Sequence, residues 1–79
     1  MKTRARRVAI ITGANGMRGI GRAIALRFAK DGLDLALVDI RRTEAQIPER
    51  ELAAGWRGIE SVREEVEARG ARAICIYAD

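Results

Sequence analysis

Three features of this 79-residue sequence predict an α/β fold, a Rossmann-like β-α-β-α-β half of a doubly wound parallel sheet that is incomplete as given. Short apolar runs alternate with segments whose apolar residues recur every three or four positions, the periods of strands and helices. A glycine-rich loop directly follows the first apolar run. An acidic residue, Asp39, ends the second run. Strand, glycine loop and helix in that order predict a site for a phosphate group.

The first strand is predicted over Val8–Thr12 and the first helix over Ile20–Lys30, with the glycines between them. Glycine lets backbone N–H groups approach an anion without a Cβ in the way, and a helix start supplies unpaired N–H donors and the positive end of its dipole. The alternative is that these glycines only form a tight turn between strand and helix. The loop glycines are Gly13, Gly16, Gly19 and Gly21.

The second strand is predicted over Leu33–Asp39, after a helix stop at Asp31-Gly32, and the third strand over Arg72–Ala78. A polar stretch with Pro48 separates the second strand from a second helix pattern, which Gly70 closes. Gly55 and Gly58 interrupt this pattern, so we expect the regular helix to begin near Gly58. The apolar face of the pattern comprises Leu52, Trp56, Ile59, Val62 and Val66, and Trp56 is expected to anchor the helix to the sheet.

These residues resemble the N-terminal, cofactor-binding part of the short-chain dehydrogenase/reductases. Thr12-Gly13 with Gly19-Ile20-Gly21 is similar to the cofactor loop of that family, and Val38-Asp39-Ile40 to the end of its second strand. Gly70 through Asp79 is similar to the third strand and the acid after it, so the resemblance extends from Arg7 to Asp79. Five residues separate Gly13 from Gly19 where the family pattern has three, which places about two extra residues within Asn15–Arg18.

The resemblance implies an NAD(P)-dependent oxidoreductase that transfers hydride between the cofactor and an alcohol or carbonyl substrate, and a homo-oligomer when complete. Asp79 is interpreted by resemblance as an adenine contact, and a solvated terminal acid is the alternative. The predicted cofactor-binding residues are Gly13, Asn15, Gly16, Met17, Arg18, Gly19, Ile20, Gly21, Asp39, Ile40, Arg41 and Asp79.

Asp39 favours NAD over NADP. An acid at the end of the second strand, roughly 20 residues past the glycine loop, can accept hydrogen bonds from the adenosine ribose. Its charge would repel a 2′-phosphate. Three arginines favour NADP instead, because each could bind that phosphate; they are Arg18, Arg41 and Arg42. Arg41 could also lie over the adenine ring. The alternative for Asp39 is a strand-end acid that caps the following turn.

No residue of this chain is predicted to be catalytic. The family resemblance implies a Ser, a Tyr and a Lys four residues after that Tyr. Tyr77 is the single tyrosine and stands two residues from the end of the sequence, Ser61 is the single serine, and the lysines are Lys2 and Lys30. We therefore expect the chain to be inactive alone.

The net charge of +4 does not indicate a nucleic-acid partner. The basic excess lies in a leader at residues 1–7 and leaves a neutral body, and that leader lacks interleaved aromatic residues. The apolar run after it is too short for a signal peptide or a membrane span. With no histidine and one cysteine, Cys75, no metal site is expected, and Cys75 is interpreted as a small buried hydrophobe. These features favour a cytoplasmic protein.

Residues 8–79 are predicted to be the N-terminal half of an NAD(P)-binding Rossmann domain of a longer enzyme. Right-handed crossovers would place both helices on one face of the sheet and leave its other face bare, with the first strand as an open edge. The strands are nearly continuously apolar, as strands buried on both faces are. The alternative is a stand-alone, non-catalytic dinucleotide-binding module that acts with a partner. A Rossmann-type methyltransferase fits the glycine pattern less well.

Overall fold

The chain folds as a three-stranded parallel sheet with two helices packed on one face. The computed structural model describes residues 7–78; Asp79 and the predicted leader apart from Arg7 lie outside them. The strands are β1 (Val8–Thr12), β2 (Asp34–Asp39) and β3 (Ala73–Tyr77), in the spatial order β1-β2-β3. The helices are α1 (Ile20–Lys30), α2 (Glu49–Ala53) and α3 (Ile59–Ala68), and a 3₁₀ turn spans Glu44–Gln46. The predicted fold class is confirmed.

The strand register decides which side chains form the core. Ile11 pairs with Leu37, and Leu37 pairs with Cys75, so these residues share one face. That face packs against α1 and α3, where Ala25, Val62 and Val66 are buried. Because side chains alternate along a strand, the neighbouring positions point to the opposite face. The predicted incomplete sheet, with both helices on one side, is therefore what the structure shows.

The helix ends follow the glycines closely. After α1, the N–H of Gly32 donates to Ala29 and the N–H of Leu33 to Phe28, the two bonds that close a helix in the Schellman motif. The same pair of bonds closes α3 at Gly70 and Ala71. The helices therefore end near Gly32 and Gly70, as predicted, because carbonyls in their last turns accept these hydrogen bonds.

Two residues of the predicted apolar helix face, Leu52 and Trp56, lie outside α3. Leu52 belongs to the separate helix α2 and is 48% exposed, and Trp56 lies in the connection between α2 and α3. Gly55 ends α2 with φ of 71°, a conformation that other residues rarely adopt, so one continuous helix face cannot form. The expected helix start near Gly58 agrees with the observed start at Ile59.

Candidate functional site

The glycine loop lies at the carboxyl edge of the sheet, between β1 and α1. The N–H of Gly13 donates to the carbonyl of Val38 at 2.9 Å, which joins the loop to β2. Gly19 precedes α1, and within the described part of the chain no side chain caps this helix start. The N–H groups of its first turn therefore remain as donors for an anion, at the positive end of the helix dipole.

Gly21 permits α1 to pack closely on the end of β1. A Cβ at this position would lie 2.9 Å from the carbonyl oxygen of Gly13 and 3.0 Å from Cα of Ala14. Both are backbone atoms that cannot rotate away. At Gly16 and Gly19 a Cβ would have no atom nearer than 3.6 Å, so Gly21 is the glycine that close packing requires.

Asp39 connects the end of β2 to the glycine loop. Its Oδ2 accepts the N–H of Asn15 at 2.8 Å, and its Oδ1 accepts the N–H of Ile40 at 2.7 Å. The bond to Ile40 is local, to the next residue of the chain, and the bond to Asn15 brings Asp39 beside the loop. Each carboxylate oxygen has a second lone pair with which it can accept another hydrogen bond.

Asn15 is the most fully bonded residue of the loop. It is buried, its Nδ2 donates to the carbonyl of Ile40 at 2.9 Å, and its Oδ1 accepts the N–H of Ile59 at 3.2 Å. Its carbonyl accepts the indole N–H of Trp56 at 2.6 Å. With its own N–H on Asp39, each polar group of Asn15 has a protein partner. In this structure the residue supports the loop from inside.

Gly58 contributes to the same junction. Its φ of 65° puts α3 directly behind Asn15, and a Cβ at Gly58 would lie 2.5 Å from Asn15 Oδ1. A side chain here would displace the amide that accepts the N–H of Ile59 at the start of α3. The glycine was seen in the sequence as a helix boundary, but its closeness to the loop was not.

Glu51, on α2, was missed in the sequence. It is only 2% exposed; its Oε2 accepts the N–H of Met17 at 3.2 Å and its Oε1 accepts Arg42 Nη2 at 3.0 Å. As one acid in a polar stretch, it carries no sequence signal that separates it from its exposed neighbours. Trp56 was expected to anchor a helix to the sheet; it packs at the edge of the core and bonds the glycine loop.

The three arginines considered for phosphate binding have different surroundings. Arg18 is exposed. The guanidinium of Arg41 lies 4.3 Å from the centre of the Tyr77 ring, and Arg42 is paired with Glu51. A groove that we call the arginine groove lies beyond the ends of β2 and β3, lined among others by Asn15, Arg41, Arg42, Trp56, Gly58 and Tyr77. Asn15, which lines this groove, also bonds Asp39 at the end of β2.

The remaining predicted site residues lie around the same edge. Met17 accepts a bond from Arg22 on its carbonyl, while Ile20 and Ile40 expose 79% and 55% of their surface. Asp79 falls outside the described residues. Asp39 lies next to the glycine loop, to which its bond with Asn15 joins it.

The side chains of Ser61, Tyr77 and Cys75 form hydrogen bonds with other parts of the protein. Ser61 Oγ accepts the N–H of Arg57 at 2.8 Å at the start of α3. The hydroxyl of Tyr77 bonds Glu60 at 3.1 Å, and burial followed by this bond raises the pKa of Tyr77. Burial likewise raises the pKa of Cys75 to about 11. Within residues 7–78 no group of potential metal ligands comes together, and no helix there has the length and apolar character to cross a membrane.

Comparison with known proteins gives relatives of one kind. No protein-family model matches the chain. A short-chain dehydrogenase/reductase of Armillaria gallica is 45% identical over 73 residues, 92% of this chain and 23% of that protein. Cyclohexanol dehydrogenase of Rhodococcus sp. (strain TK6) is also 45% identical over 73 residues, 92% of this chain and 26% of that enzyme. The chain thus spans about a quarter of the length of the curated relatives it matches.

Solved structures of dehydrogenases are also similar to this chain. A short-chain dehydrogenase/reductase from Sinorhizobium meliloti superposes with a TM-score of 0.66 at 35% identity, over 98% of this chain and 29% of that one. Carveol dehydrogenase from Mycobacterium avium, in complex with NAD, gives a TM-score of 0.62 at 29% identity, over 92% of this chain and 25% of that one.

Proposed function

We propose that this chain forms the dinucleotide-binding part of an oxidoreductase of the short-chain dehydrogenase/reductase family. Nearly its whole length is similar to the N-terminal quarter of such proteins. The reaction proposed for the whole enzyme is hydride transfer between a nicotinamide cofactor and an alcohol or carbonyl compound. The observation that supports it best is the hydrogen bond from Asn15 N–H to Asp39, because it joins the acid proposed to bind ribose to the glycine loop that leads into α1.

Each part of the proposed site has a separate task. The N–H groups at the start of α1 would bind the pyrophosphate, and Gly21 lets the helix approach closely enough to present them. Asp39 would accept hydrogen bonds from the ribose hydroxyls. Asn15 would hold the loop from within. The proposed lining comprises Gly13, Gly16, Met17, Arg18, Gly19, Ile20, Ile40 and Arg41, with Asp79 as a proposed adenine contact.

The nicotinamide cofactor supplies the hydride chemistry when bound, and this chain orients it. The Ser, Tyr and Lys that the family resemblance implies are not found at the required spacing in these 79 residues. The substrate pocket and the acid/base step of the proposed enzyme would therefore lie in other residues.

We propose NAD as the preferred cofactor because of the charge on Asp39. Two unit charges about 4 Å apart at an effective dielectric constant near 20 repel by about 4 kcal/mol, and a 2′-phosphate carries more than one charge. Arg42 could offset this repulsion, but it is paired with Glu51.

The test is calorimetric titration of NAD and NADP into the wild-type chain and into Asp39→Ala. We expect NAD to bind more tightly to the wild type. D39A should weaken NAD binding by about tenfold or more, since hydrogen bonds to a charged group contribute about 1.5–3 kcal/mol, and should narrow the preference for NAD. Asp31→Ala, at an exposed acid after α1, is the matched control and should change neither affinity. Equal binding of both cofactors by wild type and D39A would contradict the proposed role of Asp39.

A further inference from the structure

We infer that Glu51 is a positioning residue with two linked tasks: it fixes the backbone of the extended glycine loop, and it holds Arg42 so that this cation does not serve a 2′-phosphate. The inference rests on the proposed function. It makes Glu51, on the short helix α2, a determinant of the preference for NAD that acts through Arg42 and does not touch the cofactor.

The two oxygens of the Glu51 carboxylate have different partners. Oε2 accepts the N–H of Met17, within the segment where the loop is longer than the family pattern, and Oε1 accepts Arg42 Nη2. The side chain is 3% exposed, and that of Arg42 is 16% exposed. A buried carboxylate is stable only with such partners, because desolvation disfavours the charge unless hydrogen bonds and an opposite charge replace water.

The contact joins parts of the chain that are distant in sequence. Met17 and Glu51 are 34 residues apart, and Trp56, just after α2, bonds Asn15 in the same loop. The connection after β2 thus folds back over the glycine loop and holds it at two places. A loop lengthened by about two residues has more conformations to restrict, and these bonds restrict them.

Arg42 is placed where its charge matters. It follows Asp39 by three residues, lines the arginine groove, and its Nη2 lies 3.3 Å from where a Cβ of Gly58 would be. An unpaired guanidinium in this groove would attract a phosphate on the adenosine ribose. Paired with Glu51, its charge is neutralised locally and its Nη2 donates to a carboxylate. The carboxylate of Asp39 would then repel a 2′-phosphate on the ribose with less compensation from Arg42.

The experiment compares wild type, Glu51→Gln, Glu51→Ala and the double variant Glu51→Gln with Arg42→Gln. Gln keeps the size and one acceptor oxygen of Glu51 but removes the charge that holds Arg42. We expect E51Q to lower the ratio of NADP to NAD dissociation constants by about tenfold, mainly through tighter NADP binding. Adding R42Q should restore most of the wild-type ratio. Glu49→Gln, an exposed acid on the same helix, is the matched control and should leave the ratio unchanged.

The loop is observed directly through hydrogen exchange of the Met17 amide. We expect exchange to be several-fold faster in E51A than in wild type without cofactor, while circular dichroism shows the same fold. An unchanged cofactor ratio in E51Q, or a shift that persists in the double variant, would overturn the role through Arg42. Unchanged Met17 exchange in E51A would overturn the role in the loop. If wild type binds neither dinucleotide, the proposed function fails and the cofactor role fails with it, whereas the Met17 measurement still decides whether Glu51 holds the loop.

Discussion

Asn15 and Glu51 each join the glycine loop to a different part of the chain. Asn15 connects it to β2 and α3, through Asp39 and Ile59, and Glu51 connects it to α2. Buried polar groups destabilise a fold when they lack partners, and here each is matched by a backbone group or a cation. The conformation of the loop is therefore set by side chains that are themselves fixed, which is how a backbone anion site can be ordered before its ligand arrives.

The position of Gly21 has no room for a side chain. We expect Gly21→Ala to lower the free energy of unfolding by about 1–3 kcal/mol, because the added Cβ would meet backbone atoms of Gly13 and Ala14 that can separate only if α1 moves. Urea denaturation followed by circular dichroism measures the change. Gly16→Ala is the control, since its Cβ would have no contact closer than 3.6 Å, and it should change stability by less than about 0.5 kcal/mol. Equal losses in the two variants would show that close packing at Gly21 is not the cause.

At the scale of elements, α1 and α3 are joined by an ion pair as well as by apolar contacts. Arg22 Nε and Nη2 donate to the two carboxylate oxygens of Glu65 at 2.8 and 2.7 Å. Arg22 also lies over the ring of Trp56, 5.4 Å from its centre, and donates to the carbonyl of Met17. The pair thus connects the two core helices to the end of the glycine loop. The hydrogen bond from Arg22 lowers the pKa of Glu65 below its ordinary value of 4.5, against the opposing effect of burial.

This lowered pKa predicts a loss of stability in acid. The deprotonated Glu65 contributes fully above its unfolded-state pKa, and the contribution is lost as the pH falls through the lower folded-state value. With side chains 33% and 30% exposed, we expect Glu65→Gln to cost only about 0.5–1 kcal/mol near neutral pH. The difference between wild type and E65Q should shrink as the pH is lowered to about 3.

Urea denaturation at a series of pH values measures this dependence. Glu67→Gln, an exposed acid on the same helix, controls for the general effect of removing a negative charge. A difference between wild type and E65Q that stays constant with pH would argue against the ion pair as its source.

At the scale of the whole molecule, the sheet has one covered and one uncovered face. Ile10, Ala36 and Ile74 form one row across the three strands, and the two isoleucines are 70% and 60% exposed. Val8 and Ile76 extend this row into an apolar strip, with 65% and 44% exposure. Contiguous apolar surface of this kind is uncommon on monomeric proteins. The helices stabilise one side of the sheet, and the other side remains in contact with solvent in this chain.

We expect the folded chain to bind a hydrophobic fluorescent dye through this strip. Replacing Ile10 and Ile74 together by Thr should reduce the dye signal, while circular dichroism stays the same because Thr retains a β-branched side chain suited to strands. Leu52→Thr, at a residue that is 48% exposed on α2 and lies outside the strip, serves as the control and should leave most of the signal. An unchanged signal in the double variant would mean that the dye binds elsewhere.

Local patterns in the sequence were sufficient to predict the elements and their order. The bounds of β1 and α1 agree with the structure, and β2 and β3 differ from prediction by one residue at the ends. The reason is that apolar period, helix stops at glycine and strand-end residues act over a few positions of the chain. The same local signals misassigned Leu52 and Trp56, because their three-to-four spacing continues that of α3 across two glycines that break the helix.

The position of Asp39 beside the glycine loop followed from the topology, since the carboxyl ends of parallel strands meet at one edge of a sheet. Which side chains hold that edge together depends instead on tertiary contacts. The hydrogen bonds by which Asp39, Glu51, Trp56 and Ile59 hold the loop join residues 24 to 44 positions apart, and the sequence around these residues does not indicate the partners. Local sequence patterns were enough to predict the fold and the kind of ligand expected at the edge of its sheet. The long connection after β2 acquired its role only by folding back onto the loop, because hydrogen bonds between distant segments depend on where the whole chain brings them.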